Sequence, residues 1–108
     1  MTALQRLERQ SMKDKPVNFK KKGRVGSRAC GIVEDEVYEM VSDYKHMLQR
    51  IRFNKGESWD GSAHAYRMCY YKLAADGRTI KFGQYPSFLT QSELTRLLGK
   101  ARRRGWLV

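Results

Sequence analysis

Residues 66–85 read YRMCYYKLAADGRTIKFGQY, and this stretch decides the fold. Aromatic and basic residues alternate on both sides of Asp76-Gly77, which is typical of two antiparallel strands joined by a tight turn. Asp-Gly favours a two-residue hairpin turn, because that turn requires positive φ at its central positions. We therefore predict strands over residues 63–73 and 78–85.

The register of this hairpin places two lysines opposite each other. Pairing outward from the turn sets Tyr71 against Phe82 and Lys72 against Lys81. One face then carries Cys69, Tyr71, Leu73, Ile80 and Phe82, which we expect to turn inward. The other face carries Tyr66, Met68, Tyr70, Lys72, Thr79, Lys81 and Tyr85. Like charges directly opposite each other destabilise a ladder, so this second face favours a bound anion.

Three further segments have helical patterns or caps. Residues 32–53 repeat apolar side chains at three- and four-residue steps, which predicts an amphipathic helix. Capping boxes at Thr2–Gln5 and Thr90–Glu93 predict a short helix within residues 2–11 and a C-terminal helix that ends before Gly105.

These elements predict an α+β fold. It consists of an amphipathic helix, an antiparallel β-hairpin or three-stranded sheet, and a C-terminal helix packed on the sheet. Because two strands alone are marginally stable, we expect the third strand at residues 55–60.

Length and charge limit the class of protein. The 108 residues suit one domain, and 22 basic against 11 acidic residues give a formal charge of +11. Lysines concentrate before residue 30, so we predict a basic, partly flexible N-terminal arm over residues 1–30 and a single α+β domain over residues 31–108. Such a charge favours nucleic acid or an acidic protein as partner. A membrane is not expected, since no apolar run approaches the roughly 20 residues of a spanning helix.

The cysteines and acidic residues do not indicate a metal or a cofactor. Cys30 and Cys69 lack zinc-ligand spacing, which favours a reduced, cytoplasmic setting, associated with the nucleoid if the chain binds DNA. Glu39, Asp43 and His46 would share one face of the predicted helix. Because no second cluster completes a coordination shell, we predict no metal site and no cofactor.

Residues 63–105 resemble a known DNA-binding domain. The matching features are the strand around Tyr66, Arg67 and Tyr70, the turn Asp76-Gly77-Arg78, the run Phe82-Gly83-Gln84-Tyr85-Pro86, and a helix entered through Leu89 and Glu93. They are similar to the arm-site-binding domain of phage integrases and to plant ethylene-response-type factors. The resemblance implies a three-stranded sheet in the major groove of DNA with a helix behind it. It implies groove-facing roles for Tyr66, Tyr70, Lys72, Lys81 and Tyr85.

These observations predict a non-catalytic nucleic-acid-binding protein, with duplex DNA favoured over RNA. The binding residues predicted in the domain are Tyr66, Arg67, Tyr70, Lys72, Arg78, Lys81, Tyr85, Arg96, Lys100 and Arg102. Those predicted in the arm are Lys20, Lys21, Lys22 and Arg24. RNA stays open, because tyrosines on a sheet also suit single strands.

Two alternatives belong to other classes of protein. Asp35, Glu39 and Asp43 would form an acidic row on the predicted helix. Such a row suits a small regulatory or inhibitory protein that binds a basic protein, for example a phage-type host-factor or nuclease inhibitor. Cys69-Tyr70-Tyr71 and Lys81-Phe82-Gly83 resemble the paired strands of GIY-YIG nucleases, with Arg96 as the helical arginine. That family also needs a later metal-binding glutamate, and no acidic residue follows Glu93.

Overall fold

The computed structural model describes residues 1–20, 28–54, 62–83 and 89–106. Its elements are α1 (Ala3–Arg9), β1 (Pro16–Lys20), β2 (Arg28–Val41), β3 (Tyr44–Phe53), β4 (His64–Leu73), β5 (Ile80–Gly83) and α2 (Gln91–Arg103). The strands form one antiparallel sheet in the order β1-β2-β3-β4-β5. The α+β class is confirmed, and so is the packing of the C-terminal helix on the sheet. The third strand predicted at residues 55–60 lies outside the described residues.

The helix predicted over residues 32–53 is wrong. This segment forms β2 and β3, joined by a turn in which Ser42 has a φ of +54°. The cause of the error is the burial of β3, where residues 45–49 are all buried. A strand that is covered on both faces loses the alternation of polar and apolar residues, and its apolar run then also matches a helical period.

Both predicted capping boxes are confirmed. In α1 the Thr2 hydroxyl accepts from Gln5 N, and the Gln5 side chain accepts from Thr2 N. In α2 the same exchange links Thr90 and Glu93. These short-range hydrogen bonds satisfy backbone donors that a helix start would otherwise leave without partners.

The hairpin register is confirmed, but the turn differs from the prediction. Tyr71 pairs with Phe82 and Lys72 with Lys81. The loop has four residues instead of two, because Ala74 N donates to Thr79 O across 2.7 Å. Within the loop only Gly77 has a positive φ, of +69°.

The Asp76 side chain organises this loop. Its Oδ1 accepts from Arg78 N and from Thr79 N, both at 2.8 Å, and its Oδ2 accepts from Thr79 Oγ1 at 2.5 Å. These hydrogen bonds lower the pKa of Asp76 to about 2, the largest effect coming from the Thr79 hydroxyl. The carboxylate thus replaces the main-chain hydrogen bonds of a two-residue turn.

The chain divides into two compact units. The first unit comprises residues 1–11, 37–48 and 68–108, and the second comprises residues 12–36 and 49–67. The core of the first unit consists of Val37, Leu48, Leu97, Ala101 and Trp106, with Leu89 and Leu98 packed against it.

The C-terminal turn returns Trp106 to this core. Gly105 has a φ of +82°, as expected of a left-handed helix cap, and Trp106 N donates to Ala101 O at 3.0 Å. The indole is only 2% exposed. Residues 107 and 108, which follow it, lie outside the described residues.

In the first unit the two helices contact opposite faces of β3. Lys45, which is 3% exposed, donates its Nζ to the carbonyls of Glu8 and Gln10 at the end of α1. Leu48 instead packs against α2. Residues three positions apart in a strand point to opposite faces, so α1 and α2 lie on different sides of the sheet. Neither described helix is long and apolar enough to span a membrane.

The second unit has its own apolar cluster. Val17, Val33 and Ile51 form the cluster, with Met12 packed against it. β1 pairs with the start of β2, from Pro16 opposite Ile32 to Lys20 opposite Arg28. Residues 1–30, predicted as a basic arm, therefore include α1 and β1.

Replacement of Trp106 tests the core of the first unit. We expect Trp106→Ala to lower the free energy of unfolding by about 3–5 kcal/mol, because it removes a large buried side chain and the surrounding core relaxes only in part. Leu4→Ala is the control, since Leu4 is 50% exposed and its loss should change stability by less than about 0.5 kcal/mol. Urea denaturation of both variants measures the difference, and equal effects would contradict this assignment of the core.

The Asp76 turn predicts a pH dependence. The folded pKa is about 2, below the ordinary 3.8, so the stabilisation by this carboxylate is present above about pH 4 and is lost as pH falls through 2. Thr79→Val should raise the Asp76 pKa, because it removes the hydroxyl donor. Carbon-13 NMR titration of the carboxyl carbon measures this pKa. Thr95→Val is the control, because the Thr95 hydroxyl donates to Gln91 O in α2 and its loss should leave the Asp76 pKa unchanged. An Asp76 pKa that Thr79→Val does not change would contradict the turn geometry.

Candidate nucleic-acid interface

Aromatic rings and lysines share one face of the first unit. The Tyr44 and His46 rings are stacked, with centroids 5.4 Å apart and planes inclined by 3°. The Tyr70 ring meets both edge-on, at 5.6 Å from Tyr44 and 6.4 Å from His46. Lys72 Nζ lies 5.1 Å from the Tyr44 ring centroid, and Lys81 is exposed opposite Lys72. We call these five residues the tyrosine-lysine face.

Gly83 provides the space for the Tyr70 ring. Gly83 lies opposite Tyr70 on β5, and a Cβ atom at this position would come 2.3 Å from Tyr70 Cζ. No side chain larger than hydrogen fits beneath the ring at that distance. The ring therefore covers the backbone of the neighbouring strand, and its half-buried position depends on a glycine in the hairpin.

Lys72 has an internal partner. A hydrogen bond to the Tyr44 side chain raises the pKa of Lys72, and the ring also lies beneath the ammonium group. This contact offsets the repulsion from Lys81, so the paired lysines do not by themselves require a bound anion. The two lysines place two positive charges on adjacent strands.

His46 forms the inner end of the face. Burial lowers its pKa and outweighs the opposing effect of the nearby Glu93 carboxylate, so the neutral ring is favoured at neutral pH. Leu48, two residues further along β3, lies on the same side of the sheet and packs against α2. The C-terminal helix therefore covers this end of the face, whereas the resemblance to the arm-site-binding domain implied a helix behind the sheet. Tyr44, at the other end, is only half-buried.

Arg67 and Tyr66 belong to the second unit. The Arg67 guanidinium donates twice to Gln49 Oε1, at 2.6 and 2.9 Å, and contacts Met12 Sδ at 3.6 Å. It therefore supports the interior of the second unit, on the face of β4 opposite to that of Tyr66. Tyr66 belongs to the second unit as well, and its side chain is 40% exposed.

The remaining predicted cations occupy the hairpin loop and α2. Arg78 and Arg102 are exposed. Arg96 and Lys100 both bind the Glu39 carboxylate, and Lys100 also donates to Tyr38 O at 2.6 Å. Tyr85, Lys21, Lys22 and Arg24 lie outside the described residues, as does the side chain of Lys20.

The acidic row predicted on a helix is wrong. Asp35 and Glu39 lie in β2, and Asp43 lies in the turn that follows, so no helical face presents them together. Burial alone would raise the pKa of Glu39, but hydrogen bonds from Lys100 and Arg96 outweigh it and lower the pKa. Glu39 thus fastens α2 to β2. No group of three or more metal-ligating side chains occurs among the described residues.

Tyr44 and His46 are members of this face that the sequence did not predict. Both lie within the helix predicted over residues 32–53, and a helical assignment hides the alternation of side chains along a strand. The available signal was the number of β-branched and aromatic residues in the segment, among them Val33, Tyr38 and Ile51.

The comparisons with known proteins assign neither a family nor a function to this chain. No protein-family model matches the chain, and neither the curated proteins nor the solved structures contain a match.

Two glycine substitutions test the position of Tyr70. Gly83→Ala should destabilise the protein by about 1–3 kcal/mol, because the new methyl group displaces the ring. In a Tyr70→Ala background, Gly83→Ala should lower the free energy of unfolding much less, because the ring that the methyl group would displace is absent. Gly99→Ala is the control: its Cβ would lie 3.6 Å from the nearest atom, Arg103 Nη1, and an alanine within α2 should stabilise by about 1 kcal/mol. Chemical denaturation measures all four variants, and an equal Gly83→Ala penalty in both backgrounds would contradict the contact.

Proposed function

We propose that this protein is a non-catalytic nucleic-acid-binding protein that contacts duplex DNA through the tyrosine-lysine face. The observation that carries the proposal is the pairing of Lys72 with Lys81 on adjacent strands, beside the rings of Tyr44 and Tyr70. Ammonium groups neutralise phosphates, and phenol rings pack on sugars or on the edges of bases.

Three acidic residues of the first unit, Asp76, Glu93 and Glu39, have partners within the protein, which supports the proposal. Asp76 accepts three hydrogen bonds in its loop, Glu93 closes the capping box of α2, and Glu39 binds two cations. Arg78, Lys81, Arg102 and Arg103 are exposed cations of the first unit that form no ion pair with any described residue. The outward surface of the first unit therefore carries surplus positive charge that attracts a polyanion.

The packing of the rings favours a duplex over a single strand. Single-strand binding relies on aromatic rings that are open to stack on unpaired bases. Here Tyr70 lies against Gly83 and His46, and Tyr44 is stacked on His46 with Lys72 beside it. The faces of Tyr44 and Tyr70 are thus in contact with neighbouring groups, and the parts of these rings that a ligand can reach are their edges and hydroxyl groups. Contact with phosphate and sugar along a duplex suits that arrangement better than insertion of a base.

Neutralising the two lysines tests the proposal. Fluorescence polarisation should compare duplex DNA, single-stranded DNA and structured RNA at two salt concentrations. We expect the duplex to bind tightest, with an affinity that falls as salt rises. Lys72→Gln/Lys81→Gln should weaken binding and reduce the slope of log K against log salt by about 1.8, because each phosphate contact contributes about 0.9.

Arg6→Gln/Arg9→Gln is the matched control. It removes the same charge from α1, which lies on the other side of the sheet. If both double variants lose the same affinity, binding depends on net charge alone and the proposed face is rejected. Tighter binding of single strands would reject the preference for duplex DNA. No binding to any of the three at low salt would favour a protein partner.

A further inference from the structure

The second unit contains a cationic cluster whose members come from three different strands. Glu34 lies at its centre: its Oε2 is 3.3 Å from Arg50 Nε and 3.0 Å from His64 Nε2, and its Oε1 is 3.8 Å from Arg52 Nε. Arg50 Nη2 is 3.4 Å from His64 Nδ1. We call these four residues the Glu34 cluster.

The charges of the Glu34 cluster do not balance. Two guanidinium groups and an imidazole share one carboxylate, so the cluster retains net positive charge even when the imidazole is neutral. Arg50 and Arg52 are two residues apart in β3 and point to the same face. The Arg52 side chain is 56% exposed and that of Glu34 is 37% exposed. An anion can therefore approach from solvent.

The hydrogen bonds of the Glu34 cluster are also incomplete. Arg50 Nε is inaccessible to solvent and has no hydrogen-bond partner among the described residues, because its contact with Glu34 is poorly aligned. Guanidinium groups bind most strongly when two parallel N–H donors meet two oxygens of one anion. Glu34 spreads its two oxygens over three partners and pairs with neither arginine in this way.

We infer that the Glu34 cluster is a phosphate-binding site, in which a phosphodiester of the nucleic acid replaces the Glu34 carboxylate. A phosphate has more acceptor oxygens than a carboxylate and can meet Arg50, Arg52 and His64 together. In the free protein Glu34 holds the three side chains near one another, and in the complex it turns to solvent. This inference rests on the proposed function for the identity of the ligand, but it involves different residues.

Removal of the internal carboxylate tests the inference. Glu34→Gln should tighten duplex DNA binding by about three- to fivefold, because the phosphate no longer competes with an exposed ion pair. Arg52→Gln should weaken binding and lower the salt slope by about 0.9. The control is Glu8→Gln, which removes one exposed negative charge from α1 and leaves an acceptor for the Tyr38 hydroxyl. Fluorescence polarisation measures each variant.

A second measurement uses the unmodified protein with inorganic phosphate. Nitrogen-15 NMR of the arginine Nε–H groups, at constant ionic strength with chloride as the reference salt, should show a saturable shift of the Arg50 signal. Glu34→Gln should reach saturation at lower phosphate concentration, and Arg52→Gln at higher. The shift of the Arg50 signal in the unmodified protein depends neither on nucleic acid nor on the folding of any variant.

The two measurements separate the two proposals. If duplex DNA binds through Lys72 and Lys81 but Glu34→Gln matches Glu8→Gln and the Arg50 signal does not shift, the phosphate site is rejected and the proposed function stands. If no nucleic acid binds but phosphate shifts Arg50 more readily in Glu34→Gln, the site stands as one for free phosphate and the proposed function is rejected.

Discussion

Burial of β3 on both faces is the constraint on which the rest of the first unit depends. The buried Lys45 ammonium donates to two carbonyls at the end of α1, while Leu48 packs against α2 on the other face. A buried ammonium group without acceptors would be strongly destabilising, so α1 has to lie where its carbonyls can reach Lys45. Tyr38 supports the same arrangement, because its hydroxyl donates to Glu8, a hydrogen bond that, together with burial, raises the Tyr38 pKa.

The distribution of charge follows from these internal contacts. Carboxylates are used where the fold needs an acceptor: Asp76 in the hairpin loop, Glu93 at the start of α2, and Glu39 between α2 and β2. The cations have fewer internal acceptors, so several remain on the surface. The excess of basic over acidic residues, a formal charge of +11, therefore leaves a positively charged surface that attracts polyanions. Both proposed contacts with nucleic acid arise from this imbalance.

Local rules accounted for the parts of the fold that short segments determine. The capping boxes at Thr2 and Thr90 and the left-handed Gly105 were predictable, because each involves groups within a few residues of one another. The pairing of Lys72 with Lys81 was predictable from the alternation of side chains around Asp76-Gly77. The length of that loop was not, since it depends on how the Asp76 carboxylate competes with the main chain for hydrogen bonds.

Residue order alone therefore establishes the β4–β5 hairpin, both helices and the excess of positive charge. The sequence does not show that β2 and β3 are strands, because their apolar residues also fit the period of a helix. Only the tertiary structure shows that both sides of β3 are covered. The same holds for the grouping of Tyr44 and His46 with Tyr70, and of Glu34 with Arg50 and His64. These side chains come from different strands, and long-range pairing in the folded sheet is what brings them within contact distance.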